Sequence, residues 1–342
     1  MPYDPSTDLR LDPRVRAALP PTAGGGTADV ADREELLARH ASPEGEAIRA
    51  MVEAMLDAAD DEVRAPSAGL RIHTEEITSH PDGNTIRLQV IRPDTDEVLP
   101  CVYYIHGGGM AIMSCYLGMY RTWGRLLAHQ GVAVVMVEFR NCEVPSSVPE
   151  VAPFPAGLND CASGLRWTAS HAEQLGIDPA RVVVAGESGG GNLTLATGMR
   201  LLRDGDIGLV TGLYAFCPYI AGEWPTPECP SSTENEGILL SLHHNNGRVG
   251  YGVEAFERRD PLAWPSFATV DDVAGLPRTV ISVNECDPLR DEGVNFYRLL
   301  LAAGVPARGR IVLGTSHGTE LFGACPEISL DAARDLAAFA KG

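Results

Sequence analysis

The 342-residue sequence predicts an α/β protein with a mostly parallel central sheet flanked by helices. Three observations predict it. Short apolar runs without alternation, at residues 101–105, 133–139, 182–185, 209–216 and 279–283, have the texture of strands covered on both faces. Helical stretches separate them, at 120–129, 157–174, 192–203 and 291–303, and strand alternating with helix marks crossover connections. A turn of small residues, Gly186-Glu187-Ser188-Gly189-Gly190, joins one such strand to the helix that follows.

The first 60 residues are of another kind. Asp12 and Pro13 suit the N-cap and first position of a short helix at 14–19, and a Pro- and Gly-rich link at 20–26 follows. Further helices are expected at 31–40 and 43–59. Ser42 is the N-cap of the latter, with Glu44 and Glu46 in its first turn. Its Ile48, Met51, Val52, Met55 and Leu56 fall at helical spacing and give one apolar face. Residues 1–60 are therefore expected to be an N-terminal helical cap segment, that face roofing a pocket.

Residues 70–77 and 85–91 alternate as strands do, with Pro81-Asp82-Gly83-Asn84 as the hairpin turn between them. Residues 218–262 break the pattern, being rich in Pro, Gly, Asn and Glu without a strand signal. So long an excursion from a regular chain reads as a cap insertion, which leaves 61–217 and 263–342 as the core.

Composition narrows the function. Hydrophobic residues at 44% and charged residues at 21% are ordinary for a folded globular chain. A formal net charge of -19 opposes nucleic acid and anionic membrane surfaces. No apolar run approaches the ~18 residues of a membrane span, and Met1-Pro2-Tyr3-Asp4-Pro5 does not open a signal peptide. A cytoplasmic location without stable membrane association is expected. The eight cysteines are scattered with no C-x-x-C pair, so free thiols are expected and neither a metal nor a redox motif is indicated.

The small-residue turn matches G-x-S-x-G in the strand-turn-helix setting that this motif requires. A tight turn there lifts the Ser188 hydroxyl above the sheet, and only small neighbours fit. The helix that starts after it brings a positive dipole end. His106-Gly107-Gly108-Gly109 follows the strand at 101–105. Successive glycines let backbone N–H groups converge on one point, so Gly107 and Gly108 are assigned as oxyanion donors, with Gly189 as the third. His106 reads as a structural histidine anchoring that loop.

A serine nucleophile needs a base and an orienting acid, in this fold after it in the chain. His317 is the one histidine near a strand end beyond Ser188, since His243 and His244 lie in the insertion. Asp287 follows the strand at 279–283, with Glu285, Asp291 and Glu292 as rivals that the residues alone leave open.

The four segments together, H-G-G-G at 106–109, G-E-S-G-G-G-N at 186–192, D-P-L-R-D-E-G at 287–293 and H-G at 317–318, resemble the hormone-sensitive-lipase-like family of bacterial carboxylesterases. The resemblance covers roughly residues 70–340. It implies an α/β-hydrolase fold with a helical cap and Asp287 as the acid. It also implies cofactor-free hydrolysis of carboxylic esters through an acyl-enzyme, while the cap expected from residues 1–60 and 218–262 would restrict these to short or medium chains. The chain departs from the family in one extra glycine before Asn192. It also carries Phe139-Arg140-Asn141-Cys142-Glu143-Val144-Pro145 where many relatives have Y-R-L-A-P-E. Substrate choice is therefore not implied. A lactonase or amidase with the same triad and a non-catalytic ligand-binding relative remain as alternatives. The expected partner is a small-molecule ester, with a homodimer left open.

Overall fold

A computed structural model describes residues 7–19 and 28–342, so the Pro- and Gly-rich link expected at 20–26 lies outside the described residues. Eight strands form one sheet: β1 (Leu70–Thr78), β2 (Thr85–Pro93), β3 (Leu99–Ile105), β4 (Ala133–Glu138), β5 (Ile177–Glu187), β6 (Gly212–Phe216), β7 (Thr279–Cys286) and β8 (Ala307–Ser316). Their spatial order is β1-β2-β4-β3-β5-β6-β7-β8. The hairpin β1–β2 is antiparallel, as is β2 against β4, and every other pair is parallel. The helices that matter below are α1 (Pro13–Ala18), α2 (Arg33–His40), α3 (Pro43–Asp57), α4 (Gly118–Ala128), α5 (Ala156–Ser170), α6 (Gly189–Asp204), α7 (Asn246–Tyr251), α8 (Arg290–Ala302) and α9 (Pro326–Lys341).

The sheet is buried on both faces, which is why its central strands read as unbroken apolar runs. Tyr103, Ile105, Val135, Val137 and Val184 join one core with α5, α6 and α8. Their sequence neighbours Val102, Tyr104, Val134, Met136, Val183 and Ala185 join a second core with α4 and α9. Successive side chains of a strand point to opposite faces, so each strand feeds both cores in turn. The sequence reading names no helix after residue 303, yet α9 closes the second core with Ala332, Ala333, Leu336, Ala337 and Ala340.

The N-terminal segment drapes over three places. Asp12 caps α1 and its N–H donates to the Gly314 carbonyl at 2.9 Å, while Leu11 and Val15 pack with Ile238, Cys286 and Cys325. Helix α2 meets the insertion, with Val30, Leu36 and Val249 in one small cluster. Helix α3, capped by Ser42, leans on α4 through Leu56 and half-buried Val52. Its apolar face does not roof a covered space: Ile48, Met51 and Met55 are 53%, 67% and 56% exposed. The helical spacing identified which residues share a side, and of the five only Leu56 and Val52 pack against a neighbour.

The insertion holds short helices, α7 among them, and is seated on an aromatic cluster. Tyr219 stacks on Trp224 at 4.5 Å, and Trp264 meets Tyr219, Trp224 and Tyr251 edge-on. No described helix is long and apolar enough to cross a membrane.

Candidate active site

Ser188 sits between β5 and α6 with φ +56° and ψ −119°. A side chain in that region costs on the order of 1–3 kcal/mol and persists only where the surroundings hold it. Here its N–H donates to the Phe216 carbonyl on β6, and its carbonyl accepts from Asn192 and Tyr219, each at 3.0 Å. Close packing explains the glycines. A Cβ on Gly190 would run into the Ile105 carbonyl, and one on Gly189 would lie 2.5 Å from the Met110 nitrogen and 2.7 Å from that of Gly109. Asn192 donates to the carbonyls of Tyr219 at 2.9 Å and Ala263 at 3.0 Å. It thereby ties both ends of the insertion to the first turn of α6. The Ser188 side chain itself stays partly accessible.

The loop after β3 is fastened to this turn through Glu187. Its buried carboxylate accepts from the Gly107 N–H at 2.7 Å, the Tyr120 hydroxyl at 2.5 Å and the Tyr104 hydroxyl at 2.6 Å. Burial pushes Glu187 up to about 7, against the pull of these three donors. The assignment of Gly107 as an oxyanion donor fails on this contact. Its single N–H is engaged by Glu187 and by the Tyr120 oxygen at 2.9 Å, leaving nothing for a substrate. Among the described residues, the N–H groups of Gly108, Gly109 and Gly189 meet no acceptor. His106 is fully buried and stacks on Phe139 at 4.3 Å, with Nδ1 2.9 Å from the Gly107 carbonyl. It packs beneath the glycine loop.

At the other side, Asp287 follows β7 and His317 follows β8. His317 Nδ1 lies 2.7 Å from Asp287 Oδ2, both residues buried. The other Asp287 oxygen accepts from the Leu289 N–H at 2.9 Å, and Asn235 donates to its carbonyl at 3.0 Å. Burial opposes charge on the His317 ring, but the adjacent Asp287 carboxylate outweighs it and raises the ring well above the ordinary histidine value. The rivals have other partners. Glu285 accepts from the Gly314 N–H, Asp291 pairs with Arg290 and the Ser231 N–H, and Glu292 accepts from Ile220, Ala221 and the Trp224 indole. Only Asp287 among the four meets the ring.

The segment after β4 lines up beside the glycine loop. The N–H of Cys142 donates to the Met110 carbonyl at 2.9 Å, and that of Val144 to Ala111 at 3.0 Å. Helix α2 grips the same segment, because His40 Nε2 is 2.8 Å from a Glu143 oxygen and Arg33 donates to the Cys142 carbonyl.

A nucleophile turn, unengaged N–H groups beside it and a buried Asp–His pair at neighbouring strand ends are the parts of an acyl-transfer site. Residues 102–321 match the family described as alpha/beta hydrolase fold. The chain is 34% identical to carboxylesterase NlhH of Mycobacterium tuberculosis over 250 residues, covering 68% of this chain and 71% of that one. It belongs to the hormone-sensitive-lipase-like carboxylesterases of the α/β-hydrolase fold. Esterase Est22 superposes on this carboxylesterase with a TM-score of 0.98, at 60% identity over 100% of both chains. Brefeldin A esterase, described as a bacterial homologue of human hormone-sensitive lipase, superposes with a TM-score of 0.87, at 36% identity over 99% of this chain and 95% of its own. The enzyme is a carboxylic ester hydrolase.

Sequence reasoning passed over Glu187, Tyr104, Tyr120 and Asn192. Glu187 and Asn192 stand inside the serine motif, where a charged residue before the nucleophile and an amide after the glycines were visible signals. The two tyrosines carry none, since only the fold brings them to Glu187.

Proposed function

We propose that this hydrolase is a serine esterase acting on short- to medium-chain carboxylic esters, with Ser188 as nucleophile, His317 as base and Asp287 as orienting acid. The observation that carries the reading is the 2.7 Å contact between His317 Nδ1 and Asp287 Oδ2 on the sheet edge that also presents Ser188. Asp287 holds the ring with Nε2 as the proton acceptor and stabilises the imidazolium that forms. Ser188 attacks the ester carbonyl as His317 takes its proton. The N–H groups of Gly108, Gly109 and Gly189 receive the oxyanion, with Gly109 in the place first given to Gly107. His317 then protonates the leaving alcohol, and water repeats the cycle on the acyl-enzyme. None of these steps draws on a metal or organic cofactor. The insertion at 218–262, joined by α2, caps the site and limits acyl length. The buried thiols of all eight cysteines favour a reducing, cytoplasmic setting.

The test is hydrolysis of nitrophenyl esters of increasing acyl length, with one lactone and one amide alongside, coupled to fluorophosphonate labelling. Labelling on Ser188 and a preference for short to medium esters are expected. A faster lactone or amide reaction would give the site to the alternative chemistry, and labelling elsewhere would overturn the assignment of the nucleophile. One solved structure of Est22 contains p-nitrophenol, the alcohol these probes release.

A further inference from the structure

Cys217 directly follows β6, which lies between the strand that leads to Ser188 and the strand that leads to Asp287. Its backbone is held at φ +32° and its side chain is fully buried. Burial pushes the thiol up to about 11. A protonated, enclosed thiol is a poor nucleophile, and the acyl-transfer steps do not use it. Its sulfur, a carboxylate oxygen of Asp287 and a ring nitrogen of His317 nevertheless lie within 4.8 Å of one another, all three residues buried. No other group of three His, Cys, Asp or Glu side chains converges in this way among the described residues.

One sulfur, one imidazole nitrogen and one carboxylate oxygen form a donor set for borderline-soft cations. Magnesium and calcium take oxygen shells instead. Zinc bonds of about 2.3 Å to sulfur and about 2.0–2.2 Å to nitrogen and oxygen put ligand atoms roughly 3.3–3.8 Å apart in a tetrahedron. Side-chain shifts of about an ångström bring the cluster to that spacing.

We propose that Cys217, Asp287 and His317 form an inhibitory site for a thiophilic divalent cation such as zinc. The cation takes the place of the proton between Asp287 and the His317 ring. The ring's one proton moves from Nδ1 to Nε2, the thiol proton leaves to solvent, three metal–ligand bonds form, and nothing is oxidised or reduced. The Asp287 carboxylate and the Cys217 thiolate then neutralise the cation, and the ring, protonated on Nε2, can no longer take the proton of Ser188. The inhibitory effect rests on the reading of His317 as base, whereas binding itself does not.

The experiment uses the full chain, freed of metal by chelator and dialysis. Zinc chloride, cadmium chloride and magnesium chloride are titrated against nitrophenyl acetate hydrolysis. Zinc and cadmium are expected to inhibit, EDTA to restore the rate, and magnesium to do nothing. In Cys217→Ser and Cys217→Ala, each compared with its own metal-free rate, half-inhibition by zinc should need at least about tenfold more metal. Separately, cobalt(II) should give a thiolate-to-metal charge-transfer absorption in the near ultraviolet that both variants lack. Unchanged zinc sensitivity in the variants, or a cobalt spectrum without that band, overturns the proposal. Should the enzyme prove inert to every ester, the cobalt band still decides the site on its own.

Discussion

The carboxylate of Glu187 accepts the amide N–H of Gly107 at 2.7 Å, joining the residue before Ser188 to the glycine loop after β3. Both residues are fixed further by Tyr120, whose oxygen takes the Gly107 N–H and whose hydroxyl donates to Glu187. Glu187→Gln keeps the volume but turns one acceptor into a donor facing a hydroxyl. Turnover on nitrophenyl acetate is expected to fall about 10–100-fold with KM little changed, since oxyanion donors act mainly in the transition state. An unchanged kcat would release Glu187 from any positioning role.

Ser188 is held at φ +56° without gain to stability. Ser188→Ala should remove the esterase rate by several orders of magnitude, about 10⁴–10⁶, and abolish fluorophosphonate labelling while circular dichroism stays unchanged. Ser188→Gly relieves the strained backbone. Its melting temperature is expected to exceed that of Ser188→Ala, because about 1–3 kcal/mol of strain outweighs the smaller cost of a freer unfolded chain. The reverse order would show that the turn is not strained.

His317 must be neutral to accept a proton, and the Asp287 carboxylate favours its charged form. The rising limb of kcat/KM against pH is therefore expected above the ordinary histidine value of about 6.5. Asp287→Asn should lower turnover by about 10⁴ and move the limb to lower pH, because the amide no longer stabilises the imidazolium. A limb that stays in place in the variant would separate the titration from this pair.

Glu292 is fully buried, and burial pushes it up to about 8 despite three donors. In the unfolded chain it titrates near 4.5, so between these values the folded state holds a proton that the unfolded state has lost. Its contribution to stability is complete below about 4.5 and declines as pH rises toward about 8, by at most about 1.4 kcal/mol per pH unit. Urea midpoints across that window should fall less steeply in Glu292→Gln than in the native protein. Parallel profiles would assign the decline to other groups.

Leu36 on α2 is buried against Val30 and Val249. Leu36→Asp places a charge in that cluster and should detach α2 from the insertion. The expected readout is a shift toward longer acyl chains across the nitrophenyl ester panel, with circular dichroism largely retained. An unchanged chain-length profile would remove α2 from the cap.

The central strands were legible because burial on both faces leaves an unbroken apolar run, as at residues 101–105 and 133–138. The serine turn and His317 could be singled out because motif order and strand ends are local facts, whereas the residues alone left Asp287 open against Glu285, Asp291 and Glu292, and it is Asp287 that meets the ring at 2.7 Å. What failed was any question about partners distant in the chain. Which glycine N–H is free depends on Tyr120 and Glu187, 13 and 80 residues from Gly107. Helix α3 displayed a real periodicity, but periodicity does not say what covers a face, and solvent covers most of it. Helix α9 went unread because its buried side is mainly alanine, which separates weakly from a polar background.

The clasp between Asp12 and Gly314 sets an order of assembly. Leu11 and Val15 are made before Ile238, Cys286 and Cys325, which cover them and follow by more than 220 residues of chain. The strand they brace, β8, also leads directly into His317. Helix α1 therefore stays uncovered until the residues up to Cys325 are made, and its docking follows the synthesis of His317. A chain cut short before β8 would leave the apolar side of α1 uncovered and would lack His317 as well.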